Sequence, residues 1–170
     1  ALADTMNEHL ASLESKPDKL VFSYHGIPAE YVKKGDDYCC QCVETTYALV
    51  PKLNMPPEDI IHTFQSRFGR DPWLQPYTDE TVERLAKEGV KSIAVAAPGF
   101  TADCLETLDE LGNEAREEFE ELGGKKFSLI PCLNSHPAWI TALTEIVKDN
   151  LVGWVEDTAK PSSPKQQCPH

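Results

Sequence analysis

The feature that most constrains the fold is a repeated alternation of short apolar runs and longer amphipathic segments. The clearest example is Ser92–Leu122, where an apolar run is broken by Pro98-Gly99 and followed by a helical pattern. An unbroken apolar run that leads through a turn into a helix is typical of a buried parallel strand and its crossover helix. In α/β proteins the break after such a strand is where ligands usually bind.

The same alternation recurs along the chain and predicts an α/β fold. Strands that alternate with helices form a parallel sheet with helices on both faces and right-handed crossovers. We therefore expect a four-stranded, Rossmann-like domain over residues 1–156 and a flexible tail over residues 157–170. The predicted strands are Leu20–His25, Asp59–Ser66, the run from Ser92, and Lys126–Leu133, and the predicted helices are 1–14, 40–50, 78–89, 103–122 and 138–155.

Two connections and two helix starts complete the prediction. Residues 29–38 are expected to form a polar loop, and residues 67–77 form a long connection of the kind that often carries function. Thr78 or Asp79 is the expected N-cap of the third helix, and residues 134–137 are expected to cap the last one.

The helix after Pro98-Gly99 has one acidic side. Glu106, Glu110 and Glu114 lie four residues apart, which places them on one line of an α-helix, here called the acidic line. Two interpretations are open: the line handles a cation, or Asp103 is the N-cap and Glu106 completes a variant of the capping box. The apolar residues at helical spacing, which predict the buried stripe, are Leu105, Leu108, Leu111, Ala115, Phe119 and Leu122.

Composition narrows the class of partner. The net charge is −12, from 16 basic and 28 acidic residues, which argues against a nucleic acid and favours cations. No run approaches the roughly 18 apolar residues of a membrane span, and no signal peptide opens the chain, so we expect a cytoplasmic protein, with contact to a membrane surface left open. The chain lacks an initiator methionine, and we expect it to be a fragment.

Three of the six cysteines, Cys39, Cys40 and Cys42, fall within four positions. Such crowding indicates metal or redox chemistry more than a disulfide framework. Among the five histidines, His62 lies within a predicted strand and is expected in the core. His9, His136 and His170 are expected on the surface or at caps.

Several polar groups are expected at one edge of the sheet. His25 ends the first strand, the loop from Gln65 to Trp73 follows the second, and Asp103 and Glu106 follow the third. The carboxyl ends of parallel strands share one edge, so these groups converge there.

At this edge the sequence resembles the C-terminal half of the ferrochelatases, over Leu20 to about Val152, with weaker matches at Asn134 and Pro137. Four motifs occur in the family's order, which makes the resemblance specific. They are Ser23-Tyr-His-Gly-Ile-Pro28, Gly35-Asp-Asp-Tyr38, Gln65-Ser-Arg-Phe-Gly69 with Pro72-Trp-Leu74, and Phe100-Thr-Ala-Asp-Cys-Leu-Glu106-Thr-Leu108.

The resemblance implies a lyase of haem biosynthesis that inserts Fe²⁺ into a porphyrin, protoporphyrin or coproporphyrin, and releases two pyrrole protons. His25 and Glu106 would face each other across the porphyrin cleft as the catalytic and metal-contacting pair, with Asp103 and Glu110 on the metal path. An imidazole and a carboxylate suit this chemistry because both accept protons and both bind Fe²⁺. The residues that would contact the porphyrin are Tyr24, Gln65, Ser66 and Trp73.

The chain departs from the family pattern at two points. Cys104 stands where many members have a second histidine, and the N-terminal half that closes the cleft is absent, so we expect the fragment alone to be inactive. Some ferrochelatases carry a [2Fe-2S] cluster, and Cys39, Cys40 and Cys42 could supply three ligands, with a fourth from Cys104, Cys132, Cys168 or the absent half. The alternative is a set of reduced, non-ligating thiols.

A rival function of another class also fits two α/β lobes around a cleft. In it the cleft holds a tetrapyrrole or a metal without turning it over, and His25 and Glu106 only anchor the ligand.

Overall fold

The structure is a computed structural model that describes residues 1–154. Four parallel strands form one sheet in the order β2-β1-β3-β4, which confirms the predicted architecture. The strands are β1 (Lys19–His25), β2 (Ile60–Gln65), β3 (Ser92–Ala96) and β4 (Lys126–Leu129). The α-helices are α1 (Leu2–Ser12), α2 (Ala29–Lys33), α3 (Tyr38–Leu49), α4 (Thr78–Lys87), α5 (Ala115–Glu121) and α6 (Pro137–Asn150).

Both faces of the sheet are covered, and β1 is therefore buried on both sides. Leu20, Phe22 and Tyr24 pack into one core, which includes residues of α1 and α3. Val21 packs into the other, with Val82 of α4 and Phe119 of α5. Successive side chains of a strand point to opposite faces, so an apolar run such as Leu-Val-Phe can serve both cores.

Several predicted boundaries differ from the structure. The expected loop 29–38 contains α2, β4 ends at Leu129 instead of Leu133, and α6 ends at Asn150 instead of Val155. The predicted tail, with Cys168 and His170, lies outside the described residues.

The predicted cap of α4 is wrong. The N-cap is Tyr77, without a side-chain cap. The Thr78 hydroxyl is instead buried between Ser23 and Thr63, at 2.7 and 2.8 Å from their hydroxyl oxygens. His136 does cap α6, since its Nδ1 accepts a hydrogen bond from the Ala138 amide.

The helix after β3 is not α-helical throughout. Glu106–Glu114 form a π-helical segment that continues into α5. A π-turn holds more residues than an α-turn, so the apolar stripe predicted at α-helical spacing is out of phase in the first turns. Leu105 and Leu108 are 72% and 54% exposed, whereas Thr107 faces the interior; from Leu111 onward the predicted stripe is buried except for Leu122, at the helix end.

No helix within residues 1–154 is both long enough and apolar enough to cross a bilayer.

Candidate active site

The ends of β1 and β2 place His25 and Gln65 side by side. The two residues are register partners in the parallel ladder, so both lie at the carboxyl edge of the sheet. The His25 Nδ1 atom lies 2.7 Å from the carbonyl oxygen of Gly26. A carbonyl only accepts hydrogen bonds, so Nδ1 carries the proton in this contact and Nε2 is the ring nitrogen left to act as a base or a ligand.

The loop after β1 is packed tightly around this histidine. The Gly26 amide donates to the Gln65 carbonyl at 2.8 Å, and a Cβ at Gly26 would come within 3.0 Å of that oxygen and 3.2 Å of the Trp73 ring. Trp73 is half-buried, with its ring centroid 6.4 Å from that of His25. On the other side, Tyr38 donates from its hydroxyl to the His25 carbonyl at 2.9 Å. The backbone of His25 is therefore fixed from both sides.

Glu106 begins the π-helical segment on the same edge. Its own backbone amide, then the Cys104 thiol, and then the nearby His25 lower the pKa of its carboxyl group. Hydrogen bonds to a carboxylate and positive charge near it both favour the ionised form. Glu106 is therefore an anion at neutral pH and lies close enough to His25 to interact with it electrostatically.

Asp103 does not cap the helix, so the capping-box interpretation is wrong. Its Oδ1 accepts from the Cys132 amide at 3.1 Å and its Oδ2 accepts from the Asn134 side chain at 2.6 Å. Burial acts to raise the pKa of Asp103, but these hydrogen bonds outweigh burial and lower it. The Cys104 amide is capped instead by the Thr107 hydroxyl, at 2.9 Å. Asp103 thus ties the loop after β3 to the loop after β4.

Glu110 is held by Gln65, the last residue of β2, and by Ser66, which follows it. Its Oε1 accepts from the Ser66 amide at 2.7 Å, and its Oε2 accepts from the Ser66 hydroxyl at 2.5 Å and from the Gln65 side chain at 3.2 Å. Ser66 has a φ of 61°, a left-handed conformation that costs a non-glycine residue on the order of 1–3 kcal/mol. The hydrogen bonds to Glu110 offset part of that strain.

A buried polar chain, which the sequence analysis missed, supports Gln65 from below. The Ser23 hydroxyl donates to Gln65 Oε1 at 2.8 Å and contacts Thr78, which contacts Thr63. All four side chains are less than 5% exposed. Serine and threonine within predicted strands gave no signal, because their partners come from three different elements.

A cavity of about 240 Å³ lies beside Ser66. Burial raises the pKa of Glu118, one of its acidic residues, and the nearby Asp79 and Glu83 add to the effect. Within residues 1–154 no group of three or more His, Cys, Asp or Glu side chains is arranged to hold a metal ion. The carboxylates that line the cavity belong to Asp79, Glu110, Glu114 and Glu118.

Comparison with known proteins assigns the chain to a family. The Ferrochelatase family model matches residues 1–151. The chain belongs to the ferrochelatase family. It is 56% identical over 155 residues to the ferrochelatase of Brucella ovis and 54% identical to that of Rhizobium meliloti strain 1021, in each case across 91% of this chain. These matches cover 44% and 46% of the relatives, so the chain spans about half the length of the curated ferrochelatases it matches.

A solved structure shares the fold. The CbiX protein of Marinobacter aquaeolei VT8, described under cobalamin (vitamin B12) biosynthesis, aligns with a TM-score of 0.50 at 17% identity. The alignment covers 80% of this chain and 98% of that protein. It supports the α/β architecture alone.

Two residues expected to contact the porphyrin of a ferrochelatase are buried instead. Tyr24 is 1% exposed, because strand alternation turns it to the core face, where burial raises its pKa to about 12. His62, expected to be a satisfied core residue, is half-buried at the edge of the same core and stacks on the Tyr24 ring. Its Nδ1 is hydrogen-bonded to the Thr46 hydroxyl, whereas its buried Nε2 has no partner within residues 1–154. Gln65 is 4% exposed and its amide is used within the protein. Trp73 and Ser66 are only partly buried and stay candidates.

The three clustered cysteines do not fit the [2Fe-2S] cluster of some ferrochelatases. Cys39, Cys40 and Cys42 lie in the first turns of α3, where successive side chains project about 100° apart. Cys40 is exposed, Cys42 is buried, and Cys39 is between the two. Burial raises the pKa of Cys39 and of Cys42, which disfavours the thiolates that a cluster needs. The thiols are free, as is Cys132, whose pKa burial raises to about 12.

Proposed function

We propose that the full-length protein inserts Fe²⁺ into a porphyrin and releases two pyrrole protons, as a ferrochelatase-type lyase of haem biosynthesis. The observation that carries the proposal is that His25, whose Nδ1 donates to the Gly26 carbonyl, and an ionised Glu106 both lie at the carboxyl edge of the sheet, in a chain of the ferrochelatase family. Metallation needs a ligand for the incoming cation and bases that accept the two pyrrole protons. An imidazole together with a carboxylate supplies both.

In this proposal His25 and Glu106 share the chemistry. The unprotonated Nε2 of His25 accepts a pyrrole proton or binds Fe²⁺, and the Glu106 carboxylate offers a second basic site and a negative charge. Asp103 contributes charge to the approach of the cation, whereas the Glu110 carboxylate is occupied by hydrogen bonds from Ser66 and Gln65. Trp73, half-buried beside His25, serves as an apolar wall for the macrocycle, and Ser66 lies at the same rim.

The partner that completes the cleft is the N-terminal half of the full-length protein. One observation supports this. Helix α6 has no buried residue, and its apolar side chains Ile140, Ile146 and Val147 are 46%, 53% and 46% exposed. An apolar face of this extent marks an interaction surface. The ferrochelatases that match are about twice as long as this chain, and we propose that the other half covers α6.

The proposal includes neither a [2Fe-2S] cluster nor a choice between protoporphyrin and coproporphyrin. A cytoplasmic location and contact with a membrane surface stay predictions.

The proposal is tested with the full-length protein under anaerobic conditions. We expect iron porphyrin to form from Fe²⁺ and either porphyrin, and His25→Ala and Glu106→Gln each to lower kcat by a factor of about 100 or more. A wild-type protein that binds porphyrin and never metallates it would contradict the proposal. If both variants kept normal turnover and lost only affinity, the rival role, a binding lobe, would be correct.

A further inference from the structure

We propose that Glu110 is a positioning residue, which clamps Gln65 and Ser66 so that Gln65 holds the main chain of Glu106 opposite His25. The inference rests on the proposed function and deepens it, because it gives Glu110 a task other than passing the cation along. We call Gln65, Ser66 and Glu110 together the Glu110 clamp.

Both carboxylate oxygens of Glu110 already accept hydrogen bonds from the protein. Oε1 accepts from the Ser66 amide, and Oε2 accepts from the Ser66 hydroxyl and the Gln65 side chain. A carboxylate offers about four acceptor positions, so three are filled by protein donors. A metal ion would have to displace at least one of these hydrogen bonds to bind Glu110 directly.

The Glu110 clamp also stabilises the unfavourable backbone conformation of Ser66. Ser66 directly follows β2 in a left-handed conformation, which a residue with a side chain rarely adopts. Glu110 accepts one hydrogen bond from the amide of this residue and another from its hydroxyl. Without these hydrogen bonds, the chain after Gln65 can relax to an ordinary conformation.

Gln65 connects this clamp to Glu106 and His25. Gln65 Nε2 donates to the Glu106 carbonyl at 2.7 Å, the shortest of its contacts. Its other end cannot turn, because Oε1 accepts from the buried Ser23 hydroxyl at 2.8 Å. Gln65 is also the register partner of His25 in the sheet. One amide therefore links the strand that ends at His25 with the residue that carries the partner carboxylate.

The experiment compares Glu110→Gln with Glu117→Gln in the full-length protein. Glu117 is exposed on the continuation of the same helix, so its variant removes one charge and leaves the clamp intact. We expect Glu110→Gln to lower kcat about ten-fold, because displaced catalytic groups lose rate steeply, and to change the KM for Fe²⁺ less than about two-fold. Glu117→Gln should leave both parameters unchanged.

Ser66→Ala gives a second, milder test that does not depend on Glu110→Gln folding. It removes only the hydroxyl donor, so we expect a smaller fall in kcat, and the double variant should be no slower than Glu110→Gln alone, since both act through one clamp. A raised KM for Fe²⁺ with an unchanged kcat in Glu110→Gln would overturn the inference and assign Glu110 to the path of the cation.

Amide hydrogen exchange separates this inference from the proposed function. In Glu110→Gln we expect faster exchange at Ser66 and across residues 106–112, whether or not the protein turns over. Faster exchange in a protein that never metallates porphyrin would reject the proposed function and keep the clamp. Normal exchange with normal kcat in Glu110→Gln would reject the clamp and keep the function.

Discussion

Residues at the edge of the sheet owe their roles to hydrogen bonds that the sequence does not reveal. The motif around His25 and the acidic residues after Pro98-Gly99 were enough to predict that an imidazole and a carboxylate lie at this edge. The partners of Asp103 were not predictable, because Cys132 and Asn134 lie 29 and 31 residues away in the chain. A local capping pattern is visible in sequence, whereas a bond between two loops depends on the sheet that brings them together.

The bonds of Asp103 give a prediction about acid stability. The pKa of Asp103 is lowered in the folded protein, so its contribution is present above the unfolded value of 3.8 and is lost as the pH falls through the folded pKa. Because the side chain is only partly buried, we expect Asp103→Asn to lower the free energy of unfolding by only about 1 kcal/mol at pH 7. In denaturant unfolding of the full-length protein, the difference from wild type should shrink below pH 3.8. A difference that stays constant down to pH 2 would contradict this account.

Helices and strands were predicted well where the apolar residues keep one regular spacing and poorly where the helical winding changes. The strands and most helices follow simple apolar periodicity, and the parallel sheet follows from their alternation. The π-helical segment Glu106–Glu114 was missed because its winding differs from the α-helical period assumed for the stripe. As a result Leu108 was predicted inside, where the structure has Thr107. The core of α5 was nevertheless correct, since Ala115 and Phe119 are buried.

The end of α5 provides a test of packing. A Cβ at Gly124 would overlap the ring of Phe119, which is fully buried, whereas a Cβ at Gly123 would meet open space at a φ of 103°. We expect Gly124→Ala to destabilise the protein by about 3 kcal/mol through overpacking, and Gly123→Ala by about 1 kcal/mol through backbone conformation. Thermal and denaturant unfolding measure both. An equal loss of stability in the two variants would show that the close contact with Phe119 does not make Gly124→Ala the more destabilising substitution.

At the scale of the whole molecule, the chain is one α/β unit that spans about half the length of the curated relatives it matches. The relatives are about twice its length, and α6 has no buried residue within the part of the chain that the structure describes. The amphipathic pattern of α6 predicted a helix but not its partner, because periodicity marks an apolar face without saying what covers it.

The exposed face of α6 therefore should respond differently in two contexts. Ile146 is 53% exposed, so Ile146→Asp should change the free energy of unfolding of the 170-residue chain by less than about 0.5 kcal/mol. In the full-length protein the same substitution should cost about 2 kcal/mol, the value of burying such a side chain. Glu145→Ala is the matched control and should have little effect in either. Equal, small effects of Ile146→Asp in both proteins would mean that α6 is not covered by the other half.

The role proposed for His25 and Glu106 is to carry out metallation and not merely to bind its substrates. The most direct measurement is the first turnover of the full-length protein, loaded with porphyrin before Fe²⁺ is added without oxygen, because substrate binding then precedes the observed step. We predict that Glu106→Gln holds the porphyrin as wild type does and forms iron porphyrin at least about 100 times more slowly. A first turnover as fast as that of wild type, in a variant that binds porphyrin normally, would contradict the account.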